Sequence, residues 1–110
     1  MAHEQVLEKF AFKMKLNQGM ADAYKQRHDD IPSELVLLLK DAGISDYSIF
    51  LDEDTHILFG VMWRLKDHRL AELPNTEIMH KWWSHMADIM HTNENNEPFT
   101  SDLQLVFHMD

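Results

Sequence analysis

Along residues 10–16, FAFKMKL, apolar and polar side chains alternate. Phe10, Phe12, Met14 and Leu16 fall on one side and Ala11, Lys13 and Lys15 on the other, which is the period of a half-buried strand. Asn17 carries a helix-capping side chain. From Met20 the spacing turns helical, with Met20, Ala23, Tyr24, Arg27, His28 and Ile31 sharing one side. Pro32 ends or kinks this helix, because its ring removes an amide hydrogen and pushes the preceding residue out of the helical region. SELVLLLKDAG (33–43) then reads as a second helix with Leu35, Leu38, Leu39 and Ala42 as its apolar stripe, and Gly43 is a suitable stop. DYSIFL (46–51) is a strand with Tyr47, Ile49 and Leu51 on one face. HILFGVMW (56–63) is the next, and the DEDT turn between them makes a hairpin. Pro74 and Asn75 punctuate before a third helix, EIMHKWWSHMADIM (77–90). TNENNEP is a polar loop, and LQLVFHM (103–109) is a last strand.

The order strand, helix, strand, strand, helix, strand is the split β-α-β arrangement of ferredoxin-like α+β folds. Its helices cover one face of an antiparallel sheet and leave the other in need of cover. HILFGVMW is apolar on both of its faces, so the uncovered face is expected to meet a second copy in a homodimer. No internal repeat or low-complexity segment interrupts the 110 residues, which are expected to form one domain, with residues 1–8 as a flexible N-terminus.

Ten Lys and Arg stand against 19 Asp and Glu, a formal net charge of −9. A nucleic-acid partner needs a basic footprint, so none is expected. An anionic membrane surface or a highly anionic substrate is disfavoured in the same way. There is no cysteine, which excludes disulfides and thiolate chemistry and is compatible with a reducing compartment. MAHEQVLEKF has no apolar core of a signal peptide, and no apolar run approaches a membrane span. A soluble, cytoplasmic protein is expected.

Tyr24 and His28, in YKQRH, are helical neighbours at i and i+4. A histidine that titrates near neutrality beside a phenol is equipment for acid–base work. On spacing alone, such a pair is more commonly a satisfied contact at a core margin. In KWWSHM, adjacent helix residues point to different sides, so Trp82 and Trp83 can divide between core and pocket. An indole face stacks on the C–H face of a sugar, although large aromatics most often serve cores and interfaces. Tyr47 opens a strand and, if it faces the helices, needs a partner for its hydroxyl. The eight histidines do not form a metal motif: His80 and His85 are five apart, not three or four, and DEDTH lacks the glycine and glutamate of a calcium loop. There is no GxSxG, P-loop or dinucleotide fingerprint, so no cofactor is expected.

Taken together, FAFKMKLN, YKQRH, DYSIFLD, LFGVMW, KWWSHMADIM and SDLQLVFHM resemble the L-rhamnose mutarotases, in that family's order and across nearly all of the chain beyond the first eight residues. The resemblance implies a ferredoxin-like fold of the dimeric α+β barrel type. It implies interconversion of the α and β anomers of L-rhamnose without a cofactor. His28 matches the family's general acid, Tyr24 its helical substrate-binding tyrosine, Tyr47 the strand tyrosine, and Trp82 and Trp83 the paired tryptophans. One stretch departs. The family commonly reads Ile-Trp-Pro-Glu-Leu after the histidine, whereas this chain reads Ile31-Pro32-Ser33-Glu34-Leu35, without the tryptophan and with the proline one residue earlier. That change bears on sugar preference and efficiency. Two rival classes share parts of the pattern: a cofactor-free or haem-linked monooxygenase on a dimeric α+β barrel, and a non-catalytic sugar-binding module.

Overall fold

The structure, a computed structural model, describes residues 6–110. Strand β1 spans Leu7–Lys15, followed by helices α1 (Ala21–Asp29) and α2 (Ser33–Asp41). Strands β2 (Ile44–Asp52) and β3 (Ile57–Leu65) form a hairpin. A 3₁₀ turn (Leu70–Asn75), helix α3 (Glu77–Met86) and a two-residue strand β4 (Ser101–Asp102) complete the order. The sheet runs β2-β3-β1-β4 and each pairing is antiparallel, as the ferredoxin-like reading requires.

The alternation in β1 holds: Phe12, Met14 and Leu16 are buried while Lys13 and Lys15 are exposed. The strand starts earlier than the sequence pattern suggests. Leu7 and Glu8, expected to be flexible, pair with Leu65 and Arg64, and the Glu8 carboxylate accepts a 2.8 Å bond from Arg64 Nε. Residues 1–5 of that expected N-terminus lie outside the described residues.

Pro32 ends α1 and does not kink it. It stands in an extended conformation just before α2, so the helical stretch splits into two nine-residue pieces. The Gly43 stop is borne out by its φ of +102°, a region that glycine enters without a Cβ penalty. The hairpin turn is held by Asp52: its carboxylate accepts from the Asp54 amide and the Thr55 hydroxyl, and His56 takes a positive φ.

Two elements end differently from their sequence patterns. Helix α3 stops at Met86 instead of Met90, because the chain beyond it uncoils to pair with the end of β1. Met90 bridges Leu16, the Asn17 amide donates to the Ile89 carbonyl, and the His91 amide donates to Lys15. The expected last strand over 103–109 is not formed. β4 covers only Ser101–Asp102, one further bond joins the Leu103 amide to the Ala11 carbonyl, and the tail then leaves the sheet edge. Leu105, Val106, Phe107 and Met109 stay exposed. A strand pattern becomes a strand only where it takes up hydrogen-bond partners on an edge, and beyond Leu103 the tail does not pair with β1.

The helices lie on the sheet face built by Phe12, Met14, Leu58 and Met62, which form one core cluster with Tyr24, Ile44, Met86 and Ile89. A second cluster, Leu35, Ala42, Leu73 and Met79, joins α2 to α3. Trp82 packs against both. Gly60, in the middle of β3, has a specific reason to lack a side chain: a Cβ there would stand 2.6 Å from the tip of the Phe12 ring. The ring lies directly over the glycine, opposite it in the register. Alanine in a strand interior is ordinarily no worse than glycine. Here Gly60→Ala should destabilise the fold by about 1–3 kcal/mol through overpacking, read as a lower urea midpoint; an unchanged midpoint would show that the Phe12 ring moves aside freely.

Candidate active site

An open cleft of about 1020 Å³ separates α1, α2 and α3 from the covered face of the sheet. Its volume is at the upper end of the roughly 300–1,000 Å³ range usual for small-molecule sites. Tyr24, His28, Tyr47, Trp82 and Trp83 all line it. Residues 24, 28, 47, 82 and 83, drawn from two helices and a strand, therefore share one wall system.

On α1, Tyr24 is buried and His28 half-buried one turn later. Their rings lie 4.3 Å apart, and His28 Nδ1 is 3.0 Å from the Tyr24 carbonyl oxygen. A carbonyl only accepts, so Nδ1 carries the proton and Nε2 is left as the nitrogen that exchanges one. The Trp82 ring meets the imidazole edge-on at 5.1 Å and also contacts His85 at 5.8 Å. Trp83 leans on His80 and packs with the second core cluster. The expected division, one tryptophan inward and one on the pocket, is softer in the structure: both are half-buried and both reach the cleft, with Trp82 against His28.

Tyr47 is placed by an irregularity in β2. Ser45 pairs with Trp63 and Ser48 with Val61, so three steps on β2 match two on β3. Asp46, with a φ of +48°, takes up the difference. Such a bulge re-aims a side chain. It lets Ile44 and Ile49 both face the helices, and it brings the Tyr47 ring to 6.2 Å from Phe12. Although 37 % of Tyr47 remains exposed, it lines the cleft and its phenol is desolvated by burial.

This desolvation sets the charge state of the site. Burial raises the Tyr24 phenol well above the ordinary value, and the neighbouring Tyr47 phenol adds to the rise. Burial pushes Tyr47 up to about 12. Burial also lowers His28 below 6.5, against a smaller upward pull from its hydrogen bond to the Tyr24 carbonyl and from Asp29. At neutral pH all three are uncharged in the main. The phenols can donate and accept hydrogen bonds, and as neutral phenols they are weak bases. Such a set of groups offers stacking surface and directed hydrogen bonds suited to a neutral polyol, with one group able to exchange a proton.

Further lining residues were not singled out from the sequence. Phe12 forms part of the floor, and Glu97 and Asp102 line the cleft beside it. Asp102 is the cross-strand neighbour of Phe12, so it shares the covered face. Its place depends on a two-residue pairing between chain positions ninety residues apart, for which no local pattern exists. The residues Ile31 and Leu35, flanking the departure at Pro32, also line the cleft.

The L-rhamnose mutarotase family model matches residues 9–109. An L-rhamnose mutarotase of Sinorhizobium medicae is 58 % identical over 103 residues, covering 94 % of this chain and 99 % of that protein. One of Rhizobium meliloti is 57 % identical over the same length and shares. The crystal structure of an L-rhamnose mutarotase from Formosa agariphila superposes with a TM-score of 0.85 at 50 % identity, covering 94 % of this chain and 99 % of that one. A Pseudomonas aeruginosa protein, 16 % identical with a TM-score of 0.58, shares the fold alone. The likeness runs from β1 through the tail and includes each element that lines the cleft: this chain belongs to the L-rhamnose mutarotase family.

Proposed function

We propose that the chain interconverts the α and β anomers of L-rhamnose by opening and reclosing the pyranose ring, with His28 as the general acid. Opening puts a proton on the ring oxygen and takes one from the anomeric hydroxyl; reclosure on the other carbonyl face reverses both transfers. No redox step or covalent intermediate is required. The observation that carries this reading is the pinned imidazole. Its Nδ1 is committed to the Tyr24 carbonyl, so Nε2 is the nitrogen that delivers the proton, and Trp82 fixes the ring from the side. Tyr24 and Tyr47 act as neutral hydrogen-bonding phenols toward the sugar hydroxyls, and Trp82 and Trp83 give stacking surface. Carboxylates that line the cleft, or water, take the proton of the anomeric hydroxyl.

A 6-deoxy sugar differs from its hydroxymethyl analogue by one hydroxyl, and an apolar pocket rejects such a group by about 10²-fold or less. With Ile31 and Pro32 where the family commonly has a tryptophan nearby, this chain accepts related aldoses as secondary substrates. The monooxygenase and binding-module readings are not favoured, since the similar proteins with a named activity are mutarotases. No helix among the described residues is long and apolar enough to cross a membrane. A chain without cysteine suits a reducing compartment, and we read it as a single cytoplasmic domain.

We also read the protein as a homodimer. The sheet face away from the helices carries Phe50, Phe59, Val61 and Trp63, and Phe50 is 57 % exposed. The tail beside it adds Leu105, Val106, Phe107 and Met109, and His108 rests edge-on against Trp63. Apolar area of this extent is seldom left to water. Light scattering at micromolar concentration should give twice the monomer mass, and truncation after Leu103 should weaken the association; a stable full-length monomer would refute it.

Saturation transfer between the two anomeric proton signals of L-rhamnose should show exchange that the protein accelerates. General acid catalysis supplies about 10²–10⁴-fold, so His28→Asn should return the rate close to the spontaneous one while the protein stays folded. Near-wild-type exchange in folded His28→Asn would make the histidine structural. The pH dependence follows from the tautomer. With Nδ1 already protonated, Nε2 donates only from the imidazolium, and burial keeps that form in the minority above the lowered pKa. Protein-dependent exchange should therefore rise as pH falls from about 8, then level below the folded pKa, which lies under the ordinary histidine value of about 6.5. A rise with increasing pH would assign His28 the base role instead.

A further inference from the structure

Helix α1 is weakly anchored by apolar contact. Tyr24 is its only buried residue, and the direct ring contact from His28 to α3 is a single edge-on approach to Trp82. Arg27, next to His28, makes a different kind of contact. Its Nη1 donates to Asp88 Oδ1 at 2.7 Å and its Nη2 to Asp88 Oδ2 at 3.2 Å, so the guanidinium grips the carboxylate with both arms. Nη1 also donates to the His85 carbonyl at 2.6 Å. That carbonyl belongs to the last turn of α3, where the main-chain oxygens lack partners within the helix. The Asp88 carbonyl in turn accepts from Asn17 Nδ2 at 3.3 Å, and the next carbonyl, Ile89, accepts from the Asn17 amide. The chain just past β1, the last turn of α1 and the end of α3 are tied at one point.

We propose that Arg27 and Asp88 are a positioning pair, fixing α1 against α3 so that His28 is held edge-on to Trp82 in the geometry for proton transfer. This rests on the reading of His28 as the acid. Neither residue touches the sugar in this account; both act through the helix that carries His28. An ion pair whose carboxylate is 69 % exposed adds little to stability. Its worth lies in direction. Two parallel hydrogen bonds fix distance and plane together, which a lysine ammonium cannot do. Misplacement of a reacting group by about 1 Å can cost 10²-fold in rate, so a contact that contributes little to folding can still govern turnover.

The test compares folded Asp88→Asn, Arg27→Lys and the double variant Arg27→Met/Asp88→Leu with the wild type. Melting is followed by circular dichroism, L-rhamnose affinity by tryptophan fluorescence, and anomer exchange at saturating sugar by saturation transfer, taken per folded molecule. Asp88→Asn and Arg27→Lys should lower exchange about tenfold or more, with affinity within about threefold and little change in melting. The double variant should be no slower than the worse single one, because one shared contact is lost. Glu77→Gln, which breaks the exposed Glu77–Lys81 pair elsewhere on α3, should leave exchange unchanged. Exchange within about twofold of wild type in Asp88→Asn, or full activity in Arg27→Lys, would overturn the proposal. His28→Asn in the same series separates the two readings. If it loses exchange while the Arg27 and Asp88 variants keep it, the positioning role alone falls; if it keeps exchange, the assignment of the acid falls as well.

Discussion

No helix among the described residues is long enough to stand alone. α1, α2 and α3 have nine, nine and ten residues, and isolated helices shorter than about 12–15 residues are marginal in water because nucleation costs more than a few hydrogen bonds return. Each helix therefore exists by burying side chains against the sheet or against another helix. For α1 that side chain is Tyr24, for α2 Leu35, and for α3 Met79 and Met86. The consequence is that core and cleft are built from the same residues. Tyr24 anchors a helix with its ring and offers a hydroxyl to the cleft. Phe12, Met14, Leu58 and Met62 belong to the core cluster and also line the cleft.

Placing a site on the core margin fixes its electrostatics. Water is scarce around the phenols and the imidazole, so the uncharged form of each is favoured: the tyrosines rise and the histidine falls. Charged side chains also line the cleft, Lys25, Asp29, Glu97 and Asp102 among them. Lys25 and Asp29 pair along the exposed side of α1, and Arg27 and Asp88 pair at the end of α3. Asp88 is held below the ordinary carboxylate value chiefly by its hydrogen bond from Arg27. A chain of net charge −9 whose cleft sets carboxylates beside uncharged phenols and indoles is suited to a neutral polyol and poorly suited to an anion.

The opposite face of the sheet follows a different rule. In β3 the buried residues Leu58, Gly60 and Met62 alternate with the half-buried Ile57, Phe59, Val61 and Trp63, so both faces of this central strand are apolar. The helices satisfy one of them. Lys9 lies over the Trp63 ring at 4.8 Å and His108 approaches it edge-on, which covers part of the other. A sheet of this composition is one layer short, which with the exposed tail is the ground of the homodimer proposed above.

Periodicity along the chain determined the strands around Phe12, Ile49 and Leu58, the stripe Leu35–Leu38–Leu39–Ala42, the stop at Gly43 and the pairing of Tyr24 with His28 on one side of a helix. These are set by the fixed geometry of strand and helix, so they are written locally. The family pattern added Tyr47, Trp82 and Trp83 to the same candidate site. The tertiary structure decided what depends on segments distant in sequence. Helix α3 ends at Met86 because Met90 finds Leu16. The last strand shrinks to Ser101–Asp102 because the tail leaves the edge of β1 after the bond from Leu103 to Ala11. Tyr47 faces the helices beside Ile44 because a bulge at Asp46 absorbs one residue of register against β3. Gly60 is a glycine because the Phe12 ring lies on it, and Arg27 is a clamp because Asp88 arrives at its side. Each of these is a choice of partner, and a partner is chosen by the space and hydrogen-bond groups that folding brings together, which no local repeat of polar and apolar residues encodes.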